Sequence, residues 1–337
     1  MYANMYKGAM LLFTTLCLVA CHSFDEYTDS PVANFEALWK IMDENYCFFD
    51  YKDVDWNEVG TRYRLTIRED MDEFALFSHL SAMLTELRDG HVNLISPFHI
   101  SRYTEWFETY PPNFSTVLQE RYLGTTSDYY LAGSAKYRRL TNDVGYLYYG
   151  SFSGSLSEAN LSYIFHHFRD CRGLILDVRN NGGGSLAQAE LFASCFASER
   201  TLTGYIIHKS APPHDVFSEP FPLYLEPSVY ARWLRPVILL TNRQCYSAAN
   251  NFVQRMSCLP QVTILGDKTG GGSGLPFYSE LPNGWSVRFS ASPLLDVQRE
   301  HTENGIDPDI FVSQAPEDEL QGRDSLIEAA LRLLSSP

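Results

Sequence analysis

The sequence lacks several signatures by which a functional site is commonly recognised. No two of its seven cysteines have the Cys-x-x-Cys spacing typical of structural zinc sites. Neither a Gly-x-Gly-x-x-Gly motif nor the lysine of a Walker motif is present, which argues against nucleotide binding. No internal repeat and no low-complexity segment interrupts the 337 residues. We therefore expect neither a metal nor a cofactor.

Positive charge is also scarce. The chain has 26 lysines and arginines against 41 aspartates and glutamates, which gives a formal net charge of -15. No run of basic residues offsets this balance locally. A field of that sign opposes binding to nucleic acid and to anionic membrane surfaces. We expect no nucleic-acid partner.

Long apolar runs are missing, and the one candidate near the N-terminus is too short to span a bilayer. The apolar run 10–20 follows the single charge of Lys7, a layout typical of an export signal. Its last residues, "LVAC", resemble the bacterial lipobox, in which the cysteine becomes the lipidated first residue of the mature protein. We predict that residues 1–20 are a lipoprotein signal peptide and that Cys21 is lipidated. The alternative is an ordinary signal peptide with an unrelated cysteine.

Lipidation of Cys21 would anchor the protein stably, since more than one acyl chain is attached in this class. We predict a protein of the cell envelope, anchored in the outer membrane and facing either the periplasm or the cell surface. The polar residues 21–30 are the predicted tether. Five cysteines remain after Cys17 and Cys21, and of these Cys171, Cys195 and Cys245 lie in apolar runs expected in the core. Disulfide formation stays open for an exported chain.

The remaining sequence is rich enough in apolar residues, at 45%, to form a folded protein. Residues 31–94 are predicted to form a small helical domain, since apolar residues recur there every three or four positions. Ser30 and Asp72 are its predicted N-caps, and Asp89-Gly90 its predicted last helix end. Residues 95–142 show weak periodicity and are predicted to be a connecting segment with at least one short hairpin.

The pattern changes after residue 142. Four apolar, β-branched runs read as buried strands, and helical segments separate them; the runs are "VGYLYYGSF", "GLILDVR", "PVILLTN" and "VTILGD". This alternation indicates βαβ units and a largely parallel sheet, and hence an α/β fold over residues 143–315. Residues 316–337 contain the closing amphipathic helix, "DSLIEAALRLL".

Two stretches place a side chain with possible chemistry beside a predicted helix end. In "TNRQCYSAANNF", Ser247 follows a strand and precedes a helix, so it is either an N-cap or a nucleophile at the carboxyl edge of a sheet. The positive end of that helix would favour a developing negative charge. In "ELRDGHVNL", His91 follows a chain reversal and is either an ordinary loop histidine or a general base.

Two further stretches supply possible partners. In "LILDVRNNGGGS", Gly182, Gly183 and Gly184 follow a strand and would let backbone N–H groups approach a ligand closely, as an oxyanion hole requires. In "HTENGIDPDIFV", Glu303 opens an acidic turn. That carboxylate either orients a catalytic imidazole or belongs to a surface turn. Calcium binding is disfavoured there, because no further oxygen ligands are spaced around it.

Taken in order, these blocks resemble the C-terminal-processing (tail-specific) serine peptidases, a family that includes the tricorn core peptidase and the retinoid-binding-protein-like domains. The resemblance runs from about Leu87 to Val312 and includes the segment "GDKTGGGSG". It implies a ClpP/crotonase-like β-β-α superhelix. It also implies that Ser247 is the nucleophile and that the Ala248 N–H and one N–H of Gly182–Gly184 form the oxyanion hole.

One difference from the family pattern indicates which branch of the family this chain resembles. Members with a Ser-Lys dyad have a Gly-Lys-Gly element, but Gly272 stands at the position of that lysine here, and Lys268 belongs to the preceding element. The tricorn-like branch instead has a histidine and a glutamate in the two remaining blocks, which are His91 and Glu303 here. The resemblance therefore implies a Ser247–His91–Glu303 triad, with His91 as the base and Glu303 orienting it.

A second departure concerns the substrate. Many family members capture substrate C-termini with a PDZ domain, but only about fifty residues separate the His91 block from the first core strand, too few for that domain. We expect a serine endopeptidase acting on peptides or unfolded proteins. Two alternatives remain: a non-catalytic surface lipoprotein that binds peptides, and a crotonase-like hydrolase or lyase. The oligomeric state stays open.

Overall fold

A computed structural model describes residues 28–335, which form ten helices and twelve strands. The helices are α1 (Pro31–Asn45), α2 (Trp56–Arg64), α3 (Glu73–Thr85), α4 (Glu105–Glu108), α5 (Thr116–Leu123), α6 (Glu158–His167), α7 (Leu186–Ser194), α8 (Ala248–Ser257), α9 (Pro316–Leu320) and α10 (Ser325–Ser335). The strands are β1 (Asn93–Ile95), β2 (Tyr130–Ala132), β3 (Ala135–Arg139), β4 (Val144–Tyr148), β5 (Gly173–Asp177), β6 (Thr201–Ile206), β7 (Phe221–Leu225), β8 (Val237–Thr241), β9 (Val262–Gly266), β10 (Gly274–Glu280), β11 (Ser286–Leu295) and β12 (Ile310–Phe311).

The N-terminal part is helical, as the sequence predicts. Side-chain oxygens cap the starts of α1 and α3: Ser30 Oγ accepts the Ala33 N–H at 3.3 Å, and Asp72 Oδ1 accepts the Ala75 N–H at 2.8 Å. Helix α3 ends earlier than predicted, because the backbone leaves the α-helix after Thr85 and reaches Asp89-Gly90 through a short turn. Helix α2 lies between the two predicted helices; it is short and mostly polar, and buries only Trp56, Val59 and Gly60.

The larger sheet has seven strands in the order β12-β9-β8-β5-β4-β3-β2. Strands β4, β5, β8, β9 and β12 are parallel, and β3 and β2 continue the sheet antiparallel. Strands β5 and β8 are buried at every position, as continuous apolar runs predict. Helices α6, α7 and α8 share a core with one face, and α10 shares a core with the other. The predicted α/β class and parallel sheet are confirmed.

The second sheet is antiparallel and supports the N-terminal helices. Its strands run β1-β11-β6-β7, and β10 pairs with β11. Side chains of α1–α3 share one hydrophobic core with Trp285, Val287 and Phe289 of the β10–β11 hairpin. Residues 31–94 are thus helical, as expected, but they have no core of their own. The segment 95–142 contributes α4, α5 and the β2–β3 hairpin.

Several expectations concern features outside the fold itself. The predicted signal peptide and Cys21 lie outside the described residues. Within residues 28–335, no helix combines the length and apolar character that crossing a bilayer demands. The cysteines of this range, Cys47, Cys171, Cys195, Cys245 and Cys258, are all free thiols. In the same range, no group of three or more His, Cys, Asp or Glu residues is arranged to hold a metal ion.

Candidate active site

Ser247 lies at the carboxyl end of the parallel sheet, between β8 and α8. Its backbone has φ 59° and ψ -121°, a left-handed conformation that non-glycine residues rarely adopt. Although Ser247 occupies the N-cap position, its side chain makes no capping hydrogen bond to the helix. Its own N–H donates to the Gly271 carbonyl at 2.8 Å. The hydroxyl is therefore held out of the capping role that is usual for serine here.

Two loops at this edge of the sheet are tied together by side-chain and backbone contacts. The Asn242 side chain accepts the Asn180 N–H at 2.9 Å and donates to Asn180 Oδ1 at 2.6 Å. The Tyr246 N–H donates to the Asn181 carbonyl at 3.1 Å. Cys245 Sγ lies 3.0 Å from the Val178 carbonyl oxygen. These contacts fix the strained turn of Ser247 against the glycine-rich turn.

His91 reaches this turn from the N-terminal part. Its Nε2 lies 3.0 Å from Ser247 Oγ, although the two residues are far apart in the sequence. The backbone N–H of His91 donates to Asp89 Oδ1 at 2.7 Å, and the imidazole packs against the Tyr246 ring with centroids 4.9 Å apart. Trp106 stacks on the same Tyr246 ring at 4.1 Å. The imidazole is therefore buried and positioned by backbone and ring contacts.

Burial lowers the pKa of His91 to about 4. The nearby Asp89 carboxylate opposes this effect, whereas the Arg288 and Lys52 charges add to it. At neutral pH the ring is therefore neutral, and its Nε2 can accept the proton of the Ser247 hydroxyl. The Gly274 backbone is close enough to raise the pKa of the ring, but the buried Nδ1 makes no hydrogen bond of ordinary geometry.

Glu303 is buried, and its carboxylate contacts other groups than the imidazole. Its Oε2 accepts the Ser273 N–H at 2.8 Å, and its Oε1 lies 2.9 Å from Lys52 Nζ. Burial raises the pKa of Glu303 to about 7, and Lys52 limits the rise. Within the described residues, no hydrogen bond joins the Glu303 carboxylate to His91. The expected direct orientation of the imidazole by Glu303 is not the arrangement seen.

Lys52 and Asp89 link Glu303 to the histidine. Lys52 Nζ lies 3.8 Å from Asp89 Oδ2, and its side chain is almost fully buried. Asp89 Oδ2 also accepts the hydroxyls of Tyr46 and Ser290, each at 3.0 Å. Although burial acts to raise the pKa of Asp89, Lys52 and the hydrogen bonds hold that pKa below its ordinary value. Asp89, Lys52 and Glu303 thus form a buried charge network, and Asp89 joins it to His91.

The sequence contains little sign of this charge network. Asp89 lies in the motif that contains His91, but a helix-ending role explains it equally well. Lys52 is the only basic residue between Lys40 and Arg62, in an aromatic and acidic stretch. That isolation is the one signal that points to Lys52.

The glycine-rich turn lies directly against Ser247. A Cβ atom at Gly183 would lie 2.8 Å from Ser247 Cβ, so no side chain fits there. The Gly183 N–H already donates to Asn181 Oδ1 at 3.0 Å. Within the described residues, the N–H groups of Ala248, Gly182 and Gly184 have no hydrogen-bond acceptor. Gly182 and Gly184 both line the cavity in front of Ser247.

The structure also explains why no lysine replaces His91. A Cβ atom at Gly272 would lie 2.4 Å from the Tyr246 ring, and Gly272 has φ 76°. A lysine at this position would therefore clash with the ring that supports His91. Lys268 pairs with the exposed Asp307 at 3.1 Å. Neither position supplies an amine to Ser247.

A cavity of about 470 Å³ opens in front of Ser247 and His91. Its lining residues come from the N-terminal part, the segment after β1, the glycine-rich turn, the Ser247 turn and the β10–β11 hairpin. Isoleucines, tyrosines and Trp106 form much of its surface, together with Arg102 and Arg288. The site thus combines a hydroxyl, a neutral imidazole, free backbone N–H groups and a cleft, which is the set that acyl transfer requires.

Comparison with family models gives two matches. The model of peptidase family S41 matches residues 143–312, and the model of the tricorn protease C1 domain matches residues 29–85. The first match contains Ser247, the glycine-rich turn and Glu303. The second covers Lys52 and the three N-terminal helices.

Three similar proteins differ in their sequence identity to this chain. A crystal structure from Parabacteroides merdae, described as that of a peptidase, is 58% identical, covers 92% of this chain and 98% of that chain, and has a TM-score of 0.88. Mature CPAF complexed with lactacystin is 12% identical over 90% of this chain and 97% of that chain, with a TM-score of 0.67, and shows the fold alone. A tricorn-like protease C-terminal subunit from Sulfurisphaera tokodaii is 28% identical over 169 residues, 48% of this chain. The match spans only 17% of that curated relative.

Proposed function

The chain belongs to peptidase family S41, a family of serine peptidases, and from that premise we propose that it hydrolyses peptide bonds through an acyl-enzyme on Ser247. The observation that carries the proposal is the 3.0 Å separation of His91 Nε2 and Ser247 Oγ at a strained turn. A serine hydroxyl is a weak nucleophile and needs a base within this distance.

In the proposed mechanism, Ser247 Oγ attacks the scissile carbonyl carbon while His91 Nε2 takes the hydroxyl proton. The tetrahedral intermediate collapses when the imidazolium gives that proton to the leaving amine, which breaks the C–N bond and leaves an ester on Ser247. A water molecule then attacks the ester carbonyl carbon while His91 Nε2 takes its proton; the bond between that carbon and Ser247 Oγ breaks, the imidazolium returns the proton to Oγ, and the product leaves as a carboxylic acid. The low pKa of His91 favours return of the proton to the leaving group.

Two backbone donors are proposed for the oxyanion. The Ala248 N–H lies at the start of α8, where the positive end of the helix favours negative charge. Gly182 is the proposed second donor, because Gly183 already donates to Asn181 and a Cβ atom at Gly182 would face open space. Gly184 is held against the backbone of Phe152 and is the less suitable candidate.

The acidic group of the triad is proposed to act through the charge network. Asp89 fixes the His91 backbone and is the main negative charge near the imidazole, so it stabilises the imidazolium that forms during reaction. Glu303 orients the site indirectly, through Lys52 and Ser273. Lys52 keeps the two buried carboxylates from repelling each other, which makes it a positioning residue.

The proposed substrates are peptides or partly unfolded proteins. Ser247 lies in a cleft of about 470 Å³, along which we expect an extended segment to bind. The proposed location is the cell envelope, with the chain attached through a lipidated Cys21. That location rests on the sequence motif alone.

The test is covalent labelling of Ser247 with a fluorophosphonate probe. We expect the wild-type protein to be labelled, Ser247→Ala to be inert, and His91→Ala to react about 10⁴-fold more slowly. Lys268→Met is the matched control, since it removes a partly buried lysine that would be the rival base, and we expect it to react normally. Hydrolysis of a peptide library, measured by mass spectrometry, gives the parallel readout.

The second candidate function is peptide binding without catalysis. A wild-type protein that neither reacts with the probe nor cleaves any peptide, yet binds peptides with measurable affinity, would favour it. The buried His91 Nδ1 without a hydrogen bond is the observation on its side, since an active histidine usually has a partner at that atom.

A further inference from the structure

The cavity in front of Ser247 has an unusual charge for this protein. Two arginines line it, Arg288 from strand β11 and Arg102 from the loop after β1, and His91 lines it as well. No aspartate or glutamate is among the described residues that line it. The whole chain, by contrast, has 41 acidic residues against 26 lysines and arginines. A cavity with only basic charges is therefore not a consequence of composition.

Neither arginine has a carboxylate partner within the described residues. The guanidinium of Arg288 makes one side-chain contact, from Nη1 to Asn93 Oδ1 at 3.3 Å, and its Nε is buried without an acceptor. Arg102 forms no salt bridge among residues 28–335. The two buried arginines of this range do have carboxylate partners: Arg179 lies 2.7 Å from Asp177, and Arg255 lies 3.4 Å from Glu190.

Arg288 is partly buried, so its guanidinium group loses part of its hydration, and the described residues offer it no carboxylate in return. The planar guanidinium binds carboxylates through paired N–H donors, which makes carboxylate its best-matched partner. Nη2 of Arg288 has no hydrogen-bond partner among the described residues and is not buried, so it is a donor available to a ligand in the cavity. The missing partner is therefore expected to come from the substrate.

We propose that this cavity is a substrate subsite that binds a carboxylate close to the scissile bond, with Arg288 as the anchor and Arg102 as the outer cation. The favoured ligand is an aspartate or glutamate side chain of an extended peptide. The proposal rests on the proposed function, and it adds a substrate class: acidic peptide segments.

The remaining walls support this assignment. Ile95, Ile100 and Trp106 are apolar, so a bound carboxylate would be partly removed from water and its attraction to Arg288 strengthened. The hydrogen bond from Arg288 to Asn93 limits the motion of the guanidinium. Arg102 is exposed and can attract an acidic segment before it binds.

The experiment uses pairs of fluorogenic peptides that differ only by Glu or Gln at one position near the scissile bond, each with a free or an amidated C-terminus. We expect kcat/KM to be about 10-fold or more higher for Glu at one position, the typical effect of a charged hydrogen bond. Arg288→Gln and, to a smaller extent, Arg102→Gln should bring the Glu/Gln ratio toward one. Arg288→Lys should keep part of it.

Arg172→Gln is the matched control. It also removes one arginine charge, but Arg172 lies at the amino end of the parallel strand β5, whereas Ser247 lies at the carboxyl end of the sheet. Arg172 pairs with Asp143 at 2.8 Å. We expect its Glu/Gln ratio to equal that of the wild type. Because Arg102 is exposed, its variant should fold even if Arg288→Gln does not.

The outcomes are separable. A ratio that depends on the free C-terminus, and not on a side chain, would support the carboxylate subsite and identify a terminal carboxylate as its ligand. Equal rates for all four peptides of a set would overturn the subsite, while labelling of Ser247 would still support the peptidase. If the wild-type protein is not labelled, peptide binding to Ser247→Ala, measured by fluorescence anisotropy, tests the subsite without catalysis. Equal affinity for Glu and Gln peptides would then overturn it.

Discussion

His91 is the residue whose chemistry depends most on its surroundings. An exposed histidine has a pKa of about 6.5, but burial lowers the pKa of His91 to about 4. Protonation of Nε2 would remove the acceptor for the Ser247 proton and stop the reaction. We therefore expect the loss of activity caused by protonation of His91 to occur at a pH well below that at which an ordinary histidine titrates.

The corresponding prediction concerns the rate of fluorophosphonate labelling between about pH 3.5 and 8, a range that spans both shifted groups. We expect an acid limb with a midpoint near 4, at which labelling falls as His91 takes up a proton. Glu303, with a pKa raised to about 7, can add a second limb near neutrality. In Glu303→Gln that second limb should disappear and the limb at lower pH should persist. A single limb at about 6.5, unchanged in Glu303→Gln, would show that burial does not lower the pKa of His91.

Residue identities could be predicted only where a local motif contains them. Ser247, His91 and Glu303 each lie in a short motif at a chain reversal, and the glycines of the second turn are recognisable without a structure. Lys52 and Arg288 escape prediction because their roles depend on partners far along the chain. A lysine near a helix and an arginine in a strand are ordinary surface residues until tertiary contacts bury them.

The strand-to-helix turn is the element in which the site stores strain. Ser247 has φ 59° and ψ -121°, a conformation that costs of order 1–3 kcal/mol for a residue with a side chain. Hydrogen bonds from the Ser247 N–H to Gly271 and from the Tyr246 N–H to Asn181 hold it there. The strain is compatible with function, because it directs the hydroxyl away from the helix and toward His91.

This strain predicts the order of stability of two inactive variants. Glycine is already preferred over alanine at an N-cap, and it also adopts the backbone of Ser247 without steric cost, so both effects favour the glycine variant. We expect Ser247→Gly to exceed Ser247→Ala by about 1 kcal/mol in free energy of unfolding, measured by urea denaturation. Equal stabilities, or a more stable alanine variant, would mean that the turn relaxes and the conformation is not imposed by the surrounding loops.

At the level of elements, the sequence predicts the parallel strands best. Strands β5 and β8 are continuous apolar runs because both faces are covered. Helix α2 escapes prediction because its segment is polar and contains Gly60. A Cβ atom at Gly60 would lie 2.3 Å from Trp39 Nε1, so this helix depends on close packing against α1 and not on its own propensity.

At the scale of the whole molecule, the site lies where two hydrophobic cores meet. Lys52, Asp89 and His91 come from the part that shares a core with the β10–β11 hairpin, whereas Ser247 belongs to the large sheet. The relative position of the two parts depends on many side-chain contacts spread along the chain. No sequence pattern expresses that geometry, so the motifs support the proximity of His91 and Ser247 only as a hypothesis, and the tertiary packing sets the distance between them.

Membrane attachment is the last property that belongs to the whole chain. A formal net charge of -15 repels an anionic membrane surface, so charge alone gives the protein no affinity for it. Attachment is therefore expected to depend on acyl chains at Cys21, and two or more chains anchor a protein stably. We expect the wild-type protein to remain with membranes after a high-salt and carbonate wash, and Cys21→Ala to be released. Cys17→Ala is the matched control, since Cys17 lies within the predicted signal, and it should remain bound. Mass spectrometry of the mature N-terminus provides the direct measurement: an unmodified Cys21, or a mature chain that begins at another residue, would contradict the lipobox prediction without affecting the chemistry at Ser247.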